Sequence, residues 1–285
     1  MPIAYPTTKN PARILLAKEE LISLFYHDIF EYPLGMGELV KWSVGRKALA
    51  NNYSTEVSAG SGLFYLRGRE GIVLKRLMRK RISTRKLAIA KEAAKVFSLI
   101  PTVKLLGVTG ALSMDNASDE SDIDLLVVTK KSTLWMTRFL AYFLLKVFHF
   151  ALRKPKDKVQ KDKLCLNMWM DESDLLWEGD GRNIYAAHEI AQVKPLINKG
   201  GTYELFVAKN NWIQDYWPNA VRVIKPTKES KKKDIPSIFK FFEKIAFNMQ
   251  YFYMRRKITR EVVTPTRALF HPVDWSEFVL QKLST

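Results

Sequence analysis

The chain has 285 residues, nearly half of them hydrophobic, which supplies enough apolar surface for packed cores and excludes wholesale disorder. Its 46 basic residues against 29 acidic ones leave a formal net charge of +17, a balance suited to polyanionic partners. Cys165 is the single cysteine, so a disulfide framework and a cysteine-based zinc site are both excluded, and the thiol reads as buried and inert.

Residues 12–30 place Ile14, Leu21, Ile22, Phe25 and Ile29 on one helical face. Tyr32-Pro33-Leu34-Gly35 breaks that pattern, after which short helices are predicted over 36–43 and 46–51. Gly60-Ser61-Gly62 then turns the chain into a strand at 63–66, so residues 1–67 are expected to form a winged-helix-like domain. Its third helix offers only Arg46 and Lys47 for reading a groove, which makes a docking or dimerisation role as good an expectation as DNA binding.

Residues 68–100 read as a connecting helix in which Lys75, Arg76, Arg79, Lys80, Arg81, Arg85 and Lys86 follow one another with no acid between them. This is the densest basic patch, and it predicts a salt-sensitive surface for RNA. The third part, 101–175, begins with a buried strand at 103–108, followed by a strand at 123–128, a helix over 134–152, a lysine-rich loop and a strand at 164–170. Leu134 to Leu152 is about the length of a bilayer span, but Arg138, Tyr142, Lys146, His149 and Arg153 form a polar stripe along it, so an amphipathic helix is expected and no membrane partner. Residues 176–285 are predicted to be helical, with helices over 183–196 and 236–257. The N-terminus lacks the pattern of a signal peptide, which predicts a cytoplasmic protein.

The chemistry concentrates between the strands at 103–108 and 123–128. Gly110 lets the backbone approach a phosphate closely, and the short helix after it points amide donors at an anion. Asp122 and Asp124 project to the same side of their strand while Ile123 faces the core, and two adjacent carboxylates call for a cation between them. Hard divalent ions, Mg2+ or Mn2+, join such carboxylates to substrate phosphates.

Val108-Thr109-Gly110, followed twelve positions after the glycine by Asp122-Ile123-Asp124 and then Leu125-Leu126-Val127-Val128, resembles the signature of the polymerase beta-like nucleotidyltransferase superfamily. The resemblance covers roughly residues 103–171. It implies an α+β fold with a small mixed nucleotidyltransferase sheet and helices, here flanked by the winged-helix-like N-terminus and the helical C-terminal region. It also implies transfer of a nucleotidyl group from a nucleoside triphosphate to a hydroxyl on nucleic acid, protein or a small molecule, with release of pyrophosphate; the basic run over 75–86 favours RNA as the acceptor. Asp122 and Asp124 would hold metal, while Gly110, Ala111, Ser113 and Ser121 would line the phosphates.

Two positions depart from that pattern. Ala111 stands where a serine is usual, and the third carboxylate is replaced by Asn167 or supplied by Asp171, which shares its face by simple alternation. A catalytically degenerate nucleotide- or nucleic-acid-binding protein is therefore the alternative, and a winged-helix DNA-binding regulator a further one. His188 is a candidate base-contacting residue set against a structural role. Arg267 and His271 read as packing or capping residues.

Overall fold

The computed structural model describes residues 18–45, 57–154, 157–222, 236–256, 258, 261–270 and 275–284. The N-terminal part runs through helix α1 (Lys18–Asp28), strand β1 (Leu34–Gly35), helix α2 (Met36–Lys41) and a hairpin of β2 (Val57–Gly60) and β3 (Leu63–Leu66), with the strands ordered β1-β3-β2. The helix expected over 46–51 lies outside the described residues. Glu38 fixes the start of α2 by accepting from the Gly35 amide at 2.8 Å and from the Tyr32 hydroxyl at 2.7 Å.

Helix α3 (Gly71–Ser98) leads to β4 (Val103–Val108), the four-residue α4 (Gly110–Ser113), β5 (Ile123–Thr129), α5 (Leu134–Val147) and β6 (Leu164–Asp171). Next come α6 (Ile184–Ala191), β7 (Lys194–Asn198), α7 (Thr202–Lys209), α8 (Ser237–Met254), β8 (Val262–Val263), β9 (Arg267–Leu269) and α9 (Trp275–Ser284). The result is a mixed α+β fold whose larger sheet has six strands in the order β7-β4-β5-β6-β9-β8. Strands β5 and β6 are parallel and the other pairings antiparallel.

The expectation of a wholly helical C-terminal region is corrected, because three of its segments are strands of this sheet. β4, β5 and β6 are apolar on both faces and leave two edges, which β7 and β9 cover. The helix expected over 183–196 accordingly stops at Ala191, and residues 194–198 pair with β4.

Leu105, Leu126, Val128 and Met170 pack beneath α6, α9 and the N-terminal part in one continuous core. Leu106, Val108, Leu125, Val127 and Trp169 pack on the opposite face beneath α3 and α5. Among the described residues no helix is long and apolar enough to cross a membrane.

Five of the seven basic residues of the run on α3 are paired with acids distant in sequence, while Lys75, Lys80, Arg81 and Arg85 stay exposed. Lys75 and Arg79 pair with Glu31, Arg76 with Glu38, and Arg85 with Asp119 and Asp162. Lys86 is fully buried, paired with Asp162 at 2.8 Å and donating to the Asp119 and Ser121 carbonyls at 3.1 and 2.7 Å. The paired residues of the run tie α3 to the N-terminal part and to the loop entering β5, and Lys80 and Arg81 remain at the surface.

Candidate active site

The loop that Lys86 anchors delivers Asp122 and Asp124 to the start of β5, on the face covered by α6. At Gly110 the backbone takes a left-handed turn with φ 59°, and a Cβ there would lie 2.8 Å from Asp124 Oδ2. Glycine is thus required twice, for the turn and for the carboxylate packed against its Cα. The Thr109 amide donates to the Asp124 carbonyl at 3.1 Å, which locks the glycine turn to β5.

Ligand-capable atoms of Asp122, Asp124 and Cys165 lie within 4.8 Å of one another. Arg153 donates to Asp122 Oδ2 at 2.6 Å and reaches Cys165 Sγ at 3.4 Å. Burial and the neighbouring charge of Asp122 push the Asp124 carboxyl up to about 7, against hydrogen bonds from Cys165 and Asn167 that favour its anion. Burial raises the Cys165 thiol far out of its ordinary range, with the two aspartates adding to the effect. It therefore acts as a thiol donor to Asp124, and the reading of it as buried and inert misses that it belongs to the site.

Asn167 donates through Nδ2 to Asp124 Oδ1 at 2.7 Å, while its buried Oδ1 has no hydrogen-bond partner. An orphaned amide oxygen on a side chain bonded to Asp124 is an acceptor with capacity for a cation or a donor. Asp122, Asp124 and Cys165 together form a group that could hold a metal ion.

Asp171 does not join this group, which corrects its assignment as a third metal ligand. The pairing Asp124 to Cys165 gives way to Leu126 opposite Met168, so β6 carries one extra residue, a bulge that reverses the alternation. Asp171 consequently lies opposite Thr129, about 16 Å of strand from Asp124. There its carboxylate accepts from the Ser132 and Ser173 amides at 3.0 and 2.8 Å and caps a turn.

Two serines assigned to the phosphates are also engaged elsewhere. Ser113 donates to the Gly110 carbonyl at 2.7 Å and Ser121 to the Ser118 carbonyl at 2.9 Å, so both hydroxyl protons close local turns. Ala111 is exposed at the start of α4, where the first amides of a helix have no internal partner.

His188 is corrected from substrate contact to core. Its ring stacks on Trp42 at 4.1 Å, its Nε2 meets His27 Nε2 at 3.2 Å, and Tyr26 and Trp217 pack around both. Glu189, the next residue, is what α6 contributes to the site. Burial, then the charge of Asp124, hold it up to about 8, while Gln192 donates to its Oε1. Sequence reasoning passed over it because a lone acid on a helix has no periodic signature.

Arg267 fulfils its expected capping role, holding Asp174 Oδ1 at 2.6 Å and the Asp174 and Leu176 carbonyls at 3.0 and 2.8 Å. His271 lies outside the described residues. Comparison of the sequence with models of known protein families and with curated proteins finds no match.

Proposed function

We propose that the protein is a metal-dependent nucleotidyltransferase whose centre is the Asp122–Asp124 pair. The observation that carries this reading is the convergence of both carboxylates with the orphaned Asn167 oxygen against a left-handed glycine turn. Asp122, Asp124 and Asn167 would hold Mg2+ or Mn2+, and such an ion supplies charge neutralisation for displacement at a nucleotide phosphorus.

The chain's own groups divide the remaining work. Asn167 fixes the rotamer of Asp124, and Arg153 holds Asp122 and adds positive charge where phosphate oxygens would lie. The open amides at the start of α4 offer donors to a phosphate. A cavity of about 290 Å³ borders α4 and the end of α6, with Ser113, Met114 and Gln192 in its wall, Lys41, Lys194 and Arg222 as its cations and Glu204 as an acid; the carboxylate pair does not line it.

The test combines the protein with labelled nucleoside triphosphates, magnesium or manganese and total cellular RNA, and follows pyrophosphate release. Release that disappears in Asp122→Ala and in Asp124→Ala is the expected result; nucleotide binding without release would overturn the enzyme. That second outcome defines the competing reading, a nucleotide-binding protein without turnover, which the Arg153 guanidinium seated on Asp122 and the missing serine at Ala111 favour.

A further inference from the structure

The most apolar surface of the molecule faces outward. On α8, Ile238, Phe241, Phe242, Ile245, Met249 and Phe252 fall on one helical face, and that face is turned to solvent, with Phe241, Met249 and Phe252 61%, 66% and 63% exposed. Its neighbour α5 adds Phe139, Phe143 and Val147, which are 65%, 56% and 52% exposed. Monomeric proteins rarely leave so many large apolar side chains together in water.

Specific contacts hold α8 in this orientation. Glu243 is buried and accepts from the Trp135 and Met136 amides at 2.7 and 2.9 Å, capping the N-terminus of α5. One turn on, Phe247 packs against Trp135 with ring centroids 5.2 Å apart, and Gln250 donates to the Trp135 carbonyl at 2.8 Å while accepting from Arg138. The side of α8 that carries Glu243, Phe247 and Gln250 is therefore the docked side, and rotating the helix to bury its outward phenylalanines would strand a carboxylate and two amides.

Charge selects the occupant of this face. Lys244 and Arg255 lie beside the apolar stripe of α8, with Arg255 over the Phe252 ring, and Lys240 and Arg256 add exposed cations on the same helix and just after it. A second copy of the chain would bring the same cations against one another, on a molecule that already carries +17. An anionic bilayer complements both components, taking up the aromatic stripe at the level of its headgroups and pairing the lysines with lipid phosphates and carboxylates. We infer that α5 and α8 form a membrane-surface docking face for anionic lipid, on which the protein lies without spanning the bilayer. The expectation of no membrane partner, drawn from the polar stripe of α5, took account of spanning segments alone.

Flotation of the full chain with phosphatidylcholine vesicles and with vesicles of equal parts phosphatidylcholine and phosphatidylserine tests this. Binding is expected only to the second kind and should weaken with salt, since each cation near an anionic surface contributes about fivefold. Phe241→Gln, Met249→Gln and Phe252→Gln combined should abolish flotation with unchanged circular dichroism, because these side chains make no part of the core. Lys240→Glu with Lys244→Glu should weaken binding more than tenfold. Failure of the parent protein to float, or flotation that the glutamine variant retains, overturns the inference. So does sedimentation of the parent as a dimer that the glutamine variant dissociates, which would assign the face to a second copy.

Discussion

Two pairs of like ionisable groups lie under α6, and burial treats them in opposite ways. His27 and His188 meet among Tyr26, Trp42 and Trp217, with His27 Nδ1 donating to the Ser23 carbonyl at 2.8 Å. Burial lowers His27 to about 4 and His188 well below the ordinary histidine range, so both are neutral and their rings are part of the core. Asp122 and Asp124 instead meet beside the Asn167 amide, whose oxygen is orphaned, with Asp124 raised to about 7. The first pair is closed by aromatic packing; the second is short of positive charge, with Arg153 meeting part of the deficit. A buried titratable pair is thus a functional candidate when its polar atoms remain incompletely satisfied, and perturbed ionisation alone does not make it one.

The largest expected effect comes from the histidines. Their folded pKa lies below the unfolded one, so their stabilising contribution is fully present above pH 6.5 and is lost as pH falls through about 4. His27 alone should cost about 3 kcal/mol over that window, and His188 adds in the same direction. Urea unfolding between pH 7 and pH 4 checks this: a stability that does not fall in acid would mean the pair is solvated and open to ligand.

Asp124 runs the other way. Its raised pKa makes the folded state more stable at low pH, and that advantage is lost as pH rises from its unfolded value of 3.8 through about 7. At pH 8, Asp124→Asn should therefore stabilise the metal-free protein, by about 2 kcal/mol after allowance for partial solvation. Added Mg2+ or Mn2+ should raise the melting temperature of the parent at pH 8 and leave it unchanged at pH 5. Calorimetry at the two pH values decides, and equal shifts at both would argue against a carboxylate-bound ion. Gly110→Ala comes next, costing roughly 1–3 kcal/mol for the left-handed backbone and displacing Asp124. Its distinguishing readout is loss of that metal-dependent shift, which a purely structural glycine would leave in place.

How far the sequence discloses this comparison depends on the range of each interaction. Gly110, Asp122 and Asp124 were legible because one loop and two strands carry them, and the apolar runs of β4, β5 and β6 are unmistakable. Asn167 and Asp171 were misplaced relative to each other because a single bulge reverses alternation, and nothing local announces it. The ion pairs of Lys75, Arg76, Arg79, Arg85 and Lys86 on α3 were not legible because Glu31, Glu38, Asp119 and Asp162 reach them from far along the chain. β8 and β9, of two and three residues, are too short to show a period, so strands that complete the sheet merged into a helical region. The apolar residues of α8 fall on one side of a helix by their spacing alone, but amphipathicity does not say which side meets the body.

The smallest effect separates the two functional readings. Arg153 is about one-third exposed, and its bond to Asp122 contributes less than about 1 kcal/mol to folding, so Arg153→Ala should leave stability almost unchanged. Its consequence for the site is larger, because the guanidinium occupies the carboxylate oxygen that an ion would use. If Arg153 is an obstruction left in a site without turnover, its removal should tighten Mn2+ binding about tenfold, read by titration calorimetry, and pyrophosphate release should stay absent. In an active enzyme the same substitution should tighten Mn2+ binding in the absence of nucleotide and yet slow release, because the group that leaves Asp122 is then needed by the phosphates. Faster release from the variant would count against any part for Arg153 in catalysis.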